Sequence, residues 1–199
     1  PKPAPVGAFD GERAYTLLKR AFKERTVEKI YLAVVQGHPD PSAGTIDAPI
    51  DRHPTERVRM AVREGGRDSV THYRVIARFR ANTHVRVQLE TGRTHQIRVH
   101  LAHAGYPIVG DRVYGGRLAL PQGATAELRA ALREFPRQAL HAARLQLEHP
   151  VTRKPLEAPA PLPADMVGVL AVLAADLAAG ANGLLQRAGR GLGRERGRN

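Results

Sequence analysis

Apolar residues recur along this chain with two periods, and the switches between them divide it into elements. From Glu12 to Glu24 the positions Ala14, Leu17, Leu18, Ala21 and Phe22 follow the helical period, and Asp10 stands where a side chain can cap the helix start. Lys29 to Val35 is an apolar, β-branched run ended by Gln36 and Gly37, which reads as a strand. Pro39 to Pro49 reads as a loop carrying a short edge segment, Thr45 to Ile50. Ser69 to Phe79 and His84 to Glu90 both alternate, with Val85, Val87 and Leu89 on one face, and are expected to pair as antiparallel strands. Ala124 to Phe135 is predicted as a helix with Leu128 and Leu132 inward. Ala139 to Leu147 is predicted as a strand closed by His149 and Pro150, and Asp165 to Ala179 as a final apolar helix.

These elements fall into one domain, predicted over residues 12–180. Residues 1–11 hold three prolines and no period, and read as an irregular lead-in. In residues 181–199 arginines alternate with glycines, so this stretch reads as a disordered basic tail. No internal repeat is present.

The densest chemistry lies between Glu90 and Gly116, ETGRTHQIRVHLAHAGYPIVGDRVYGG. Gly92 permits a turn, Thr94 can cap, and Ile97, Leu101 and Ala104 recur at helical spacing until Gly105 and Pro107 stop the run. The order is strand, turn, helix. Arg93, His95 and Arg98 then gather near a helix N-terminus, where an anion is favoured, either a phosphate or a carboxylate of the same protein. The competing reading is a solvated face of a basic protein. His95, His100 and His103 do not share one helical face and no HExxH pattern occurs, so no metal site is predicted. A second basic stretch, Arg52 to Met60, carries little apolar periodicity and reads as a surface arm.

Composition narrows the partner. Lysine and arginine number 31 against 19 acidic residues, a formal net charge of +12, which points to a polyanion. Nucleic acid is preferred over a membrane because no long amphipathic basic helix is present. The absence of cysteine excludes disulfides, thiolate catalysis and zinc–thiolate sites. No apolar run near eighteen residues and no signal-peptide core are read from the sequence, so a cytoplasmic protein is expected.

Several phrases, read together, resemble the RluA-type family of RNA pseudouridine synthases, nearest the branch that acts on large-subunit ribosomal RNA. They are Lys29 to Val34 with Gly37, Arg52-His53-Pro54-Thr55 with Met60-Ala61-Val62, Val70-Thr71-His72-Tyr73, the whole of Glu90 to Gly116, and Arg137 to Ala142 with His149-Pro150. The resemblance implies an α+β fold with a mixed, mostly antiparallel central sheet, flanking helices and an RNA cleft. It implies a bacterial-type, cofactor-free isomerase, acting as a monomer on ribosomal RNA. By the same resemblance Tyr31 stacks near the target base, Arg98 pairs with the catalytic carboxylate, and Arg93, His95, Gln96, Arg52 and His53 contact RNA.

One departure accompanies it. The family's nucleophilic aspartate lies in an HRLD phrase about a dozen residues before the first helix, and no such phrase occurs in this sequence. Asp10 lies too far along and reads as a cap. The expectation is therefore a catalytic-domain fragment, through truncation or a frame break, that binds RNA without converting it. The alternatives are a non-catalytic RNA-binding relative using the same basic cleft, and an assembly protein whose charge merely solubilises it.

Overall fold

A computed structural model describes the backbone of residues 11–56, 58–149 and 152–194, with side chains as far as residue 181 except that of Arg13. The lead-in and the Asp10 cap lie almost wholly outside these residues. The elements run α1 (Gly11–Lys23), β1 (Glu28–Gln36), β2 (Ala43–Asp47), β3 (Ile50–Arg52), β4 (Met60–Val62), β5 (Val70–Arg78), β6 (Asn82–Leu89), α2 (Gln96–His103), α3 (Ala126–Arg133), β7 (Leu140–Glu148), β8 (Pro155–Pro159) and α4 (Ala164–Arg194).

Six strands form an antiparallel sheet in the order β2-β5-β6-β1-β7-β8. The alternating runs dictate its centre. Val85 pairs with Ala33 and Val75, and Val87 with Tyr31 and Tyr73, which places the apolar set of three strands on one face. Ala33, Val34, Val35, Val85 and Val87 are wholly buried, because helices cover the middle of the sheet. The Thr71 hydroxyl meets Gln96 and His100, so α2 lies on the face that carries Thr71, Tyr73, Val87 and Tyr31.

Four departures from the sequence reading have physical causes. The basic stretch after Pro49 is a hairpin, β3 paired with β4 through Ile50–Val62 and Arg52–Met60; its strands are too short to show a period. Strand β8 was not foreseen. It is exposed throughout and flanked by prolines, which an edge tolerates, so it carries no burial signal. The α4 backbone continues to Arg194, beyond the expected stop at Ala179 and through much of the expected tail; the alanines, leucines and arginines there favour a helix, against the cost of Gly183, Gly189, Gly191 and Gly193. Finally, one 18-residue stretch is apolar on average, although no uninterrupted apolar run of that length occurs. Ala164–Ala181 has a mean hydropathy of 1.7, long and apolar enough to cross a membrane by length and composition. Its alanines raise the mean even though Asp165 and Asp176 interrupt it.

In this fold α4 is fastened to the domain. Met166, Val169 and Leu173 enter the core. The Arg137 guanidinium forks onto Asp165 at 2.8 and 2.8 Å. Asp176, only 2% exposed, accepts the Thr125 amide at 2.9 Å and Arg80 at 3.1 Å, joining α4 to the start of α3 and to the β5–β6 turn. Replacing Asp176 with alanine strands the Thr125 amide and leaves Arg80 only the Gln122 and Gly123 carbonyls, and the expected loss is about 2–3 kcal/mol in urea unfolding. An unchanged midpoint would show that apolar packing alone holds α4.

Candidate active site and RNA interface

The strand-turn-helix unit forms through hydrogen bonds that the sequence encodes within a few residues. The Gln96 carboxamide closes the turn: its oxygen accepts the Thr91 hydroxyl (2.8 Å) and the Arg93 amide (2.9 Å), and its nitrogen donates to the Val70 carbonyl and the Thr71 hydroxyl (3.0 Å each). All its hydrogen-bonding capacity is used inside the protein, at 2% exposure. Gln96 therefore shapes the turn, where the sequence reading had it lining the cleft toward RNA.

The cap differs as well. His95, not Thr94, is the residue at the α2 N-cap, in the left-handed region at φ 56° and with no side-chain cap bond. This frees its ring to turn outward from the helix, where Nδ1 lies 3.0 Å from the Tyr114 hydroxyl. At the far end Gly105, φ 86°, supplies the left-handed residue that stops the helix, and the Tyr106 amide closes back on Leu101.

Arg98 pairs with a carboxylate of the same protein, Asp111, which is not the HRLD aspartate that the resemblance gave it as partner. Nε donates to Oδ2 at 2.7 Å and Nη2 to Oδ1 at 2.8 Å, a two-bond fork. The Asp111 side chain is wholly buried, and Oδ1 also accepts the amides of Val113 and Tyr114 at 3.0 Å. Burial pushes this carboxyl up, but the Arg98 fork, the two amides and the Arg98 charge outweigh it and hold it below its ordinary range. The Tyr114 ring lies 4.8 Å from the Arg98 guanidinium and 5.5 Å from that of Arg59, and its hydroxyl accepts the Met60 amide at 2.9 Å. Asp111 and Tyr114 were not singled out from the sequence. A usable signal was present: Glu90 and Asp111 are the only carboxylates between Glu90 and Gly116, and Glu90 is engaged with His72.

Arg52 and Arg93, expected to contact RNA, do come together. With Arg67 they rim a groove of about 570 Å³ whose apolar wall includes Val58 and Met60. Arg93 is steadied by donating to the Asp68 carbonyl at 3.1 Å. His53 turns Nδ1 inward to accept the amides of Thr55 and Glu56, organising the β3–β4 loop. Tyr31 is half-buried on the α2 face, its phenol pushed up by burial, and makes no hydrogen bond or ring contact with the Arg98 cluster among the described residues. His100 is fully buried between Thr71 and the Ala48 carbonyl, a structural post; burial, the largest influence, pushes its pKa down. Among the described residues no group of three or more potential ligands could hold a metal ion.

The chain is similar to known proteins along most of its length. The family model described as RNA pseudouridylate synthase matches residues 6–103. Ribosomal large subunit pseudouridine synthase D of Xanthomonas campestris pv. campestris is 55% identical over 166 residues, covering 83% of this chain and 50% of that protein. The Pseudomonas aeruginosa protein of the same name is 54% identical over 163 residues, covering 82% of this chain and 51% of that protein. The chain thus spans about half the length of the curated relatives it matches. Of solved structures, human RNA pseudouridylate synthase domain containing 4 aligns with a TM-score of 0.65 and 28% identity over 82% of this chain and 68% of that one. Human RNA pseudouridylate synthase domain containing 1 aligns with a TM-score of 0.59 and 30% identity over 73% of this chain and 59% of that one.

Proposed function

Because the chain belongs to the RluA-type family of RNA pseudouridine synthases, we propose that it supplies the RNA grip and the positioned arginine of an enzyme converting uridines of large-subunit ribosomal RNA to pseudouridine. The observation that carries this reading is the buried Arg98–Asp111 fork, joined through Tyr114 and Met60 to a groove rimmed by three arginines.

Each group then has a task. Arg52, Arg67 and Arg93 take backbone phosphates, and the counterions they release make affinity fall with salt. Tyr31 offers an aromatic face to a uracil drawn out of its stack, as chemistry on a glycosidic bond requires. Arg98 uses Nε and Nη2 on Asp111, and its Nη1 edge has no hydrogen bond among the described residues. That edge orients the nucleophilic aspartate. His95 and His53 add polar contacts. The reaction exchanges a carbon–nitrogen for a carbon–carbon bond and releases the uracil C5 hydrogen, with no net oxidation, so no redox cofactor is called for. Action as a monomer in the cytoplasm, where bacterial ribosomal RNA matures, fits this role.

No HRLD phrase occurs in the sequence, so we assign to this polypeptide RNA binding without turnover. Large-subunit ribosomal RNA carrying tritium at uracil C5 tests both parts. This chain should bind with an affinity that falls steeply with salt and release no tritium, whereas a version extended upstream through HRLD should release it. Release by neither, with binding intact, would favour the non-catalytic RNA-binding relative. Failure of both to bind would overturn the reading.

A further inference from the structure

Proton counting at the Tyr114 hydroxyl assigns a state to His95. The Met60 amide can only donate, so it occupies one lone pair of the phenol oxygen, 2.9 Å away. The other neighbour is His95 Nδ1 at 3.0 Å. Were the imidazole proton on Nδ1, the oxygen would accept twice, and its own proton would find no acceptor among the described residues. With the phenol proton placed on the Nδ1 lone pair, all three groups are satisfied. The imidazole proton then sits on Nε2, across the ring from Tyr114.

The surroundings hold this arrangement. The Tyr114 ring is gripped by the guanidinium groups of Arg98 and Arg59, and its backbone amide donates to Asp111 at 3.0 Å. The His95 ring meets it edge-on, with centroids 5.7 Å apart and planes at 75°. Burial, then the Arg98 charge, push the His95 pKa down, and Asp111 only partly offsets them, which favours the neutral imidazole. Met60 belongs to β4 and also lines the arginine-rimmed groove, so one hydroxyl is bonded to both the hairpin and the first residue before α2.

We propose that Tyr114 is a positioning residue that fixes His95 as the Nε2–H tautomer and fastens the β3–β4 hairpin, presenting an uncharged donor to RNA beside the arginines. The RNA part of this inference rests on the function proposed above; the tautomer and the fastening do not. An uncharged N–H suits a base carbonyl or a ribose 2′-hydroxyl, which distinguishes it from the phosphate-seeking guanidinium groups around it.

Long-range proton–nitrogen NMR of the chain as it stands should find His95 Nδ1 unprotonated and Nε2 protonated. Tyr114→Phe keeps the ring under Arg98 and removes only the hydroxyl. It should mix the two tautomers and speed exchange of the Met60 amide about tenfold, the consequence of losing one hydrogen bond. Affinity for a ribosomal RNA oligonucleotide should drop about tenfold, the same hydrogen-bond loss read in binding, and adding the substitution to His95→Ala should cost little more. A protonated Nδ1 in the unaltered chain would overturn the proposal, as would a Tyr114→Phe variant with the original ring pattern and Met60 exchange. If the unaltered chain binds no RNA, the function reading falls while the ring and amide measurements still decide this one.

Discussion

Arg98→Lys, in a version of the protein extended through HRLD, should lower single-turnover uridine conversion by about a hundredfold or more while leaving the fold in place. The geometry sets that expectation. Arg98 meets both oxygens of Asp111 with two different nitrogens and holds its guanidinium carbon over the Tyr114 ring, 4.8 Å from the ring centre. An ammonium keeps the charge, so Asp111 remains neutralised and the core remains stable. It cannot span two carboxylate oxygens and still aim a third donor toward a nucleophile, because its donors radiate from one atom. The loss should therefore fall on the rate constant more than on RNA affinity, which the groove arginines dominate. A lysine variant converting uridine at the original rate would remove Arg98 from the reacting centre.

Much of this site was legible because its parts are close in sequence. Val85, Val87 and Leu89 alternate, Gly92 opens the turn, and Ile97 with Leu101 starts the helical period, so strand, turn and α2 follow from local pattern alone. The partner of Arg98 was not legible in that way. Asp111 reaches it over a thirteen-residue separation, through a loop whose path depends on contacts made elsewhere. At Gly110, φ 73°, any Cβ would overlap the Arg137 carbonyl, and at Gly115 one would overlap the Asp111 carbonyl. Those glycines mark a tight loop in the sequence, but only the folded chain shows that the loop returns to α2. The cap was misplaced for a related reason. A threonine before a helix is the usual cap, yet here the His95 ring is held outside the helix by Tyr114, and the backbone takes the left-handed region to allow it. The hairpin was missed because three-residue strands have no measurable period. The exposed strand β8 was missed because a strand that buries nothing leaves no hydrophobic trace.

Asp111→Asn should be the most destabilising single change at the site, and its cost should depend on pH. At neutral pH it leaves the largely buried Arg98 guanidinium facing an uncharged amide that can accept on one atom only, and the expected loss is about 3–4 kcal/mol. The Asp111 carboxyl is held below its ordinary range in the folded protein, whereas in the unfolded chain it titrates near an ordinary value of about 3.9. A group whose folded value is depressed contributes stability that is fully present above the unfolded value. That contribution is lost as pH falls through the folded one. The unaltered protein should therefore surrender this stabilisation below about pH 4, while the asparagine variant has none of it to surrender. Urea unfolding of the two proteins at neutral pH and again in acid should show their difference narrowing as the medium is acidified. A difference that stays constant would mean that the penalty comes from shape and hydrogen-bond count, with the charge of Asp111 playing no part in holding Arg98.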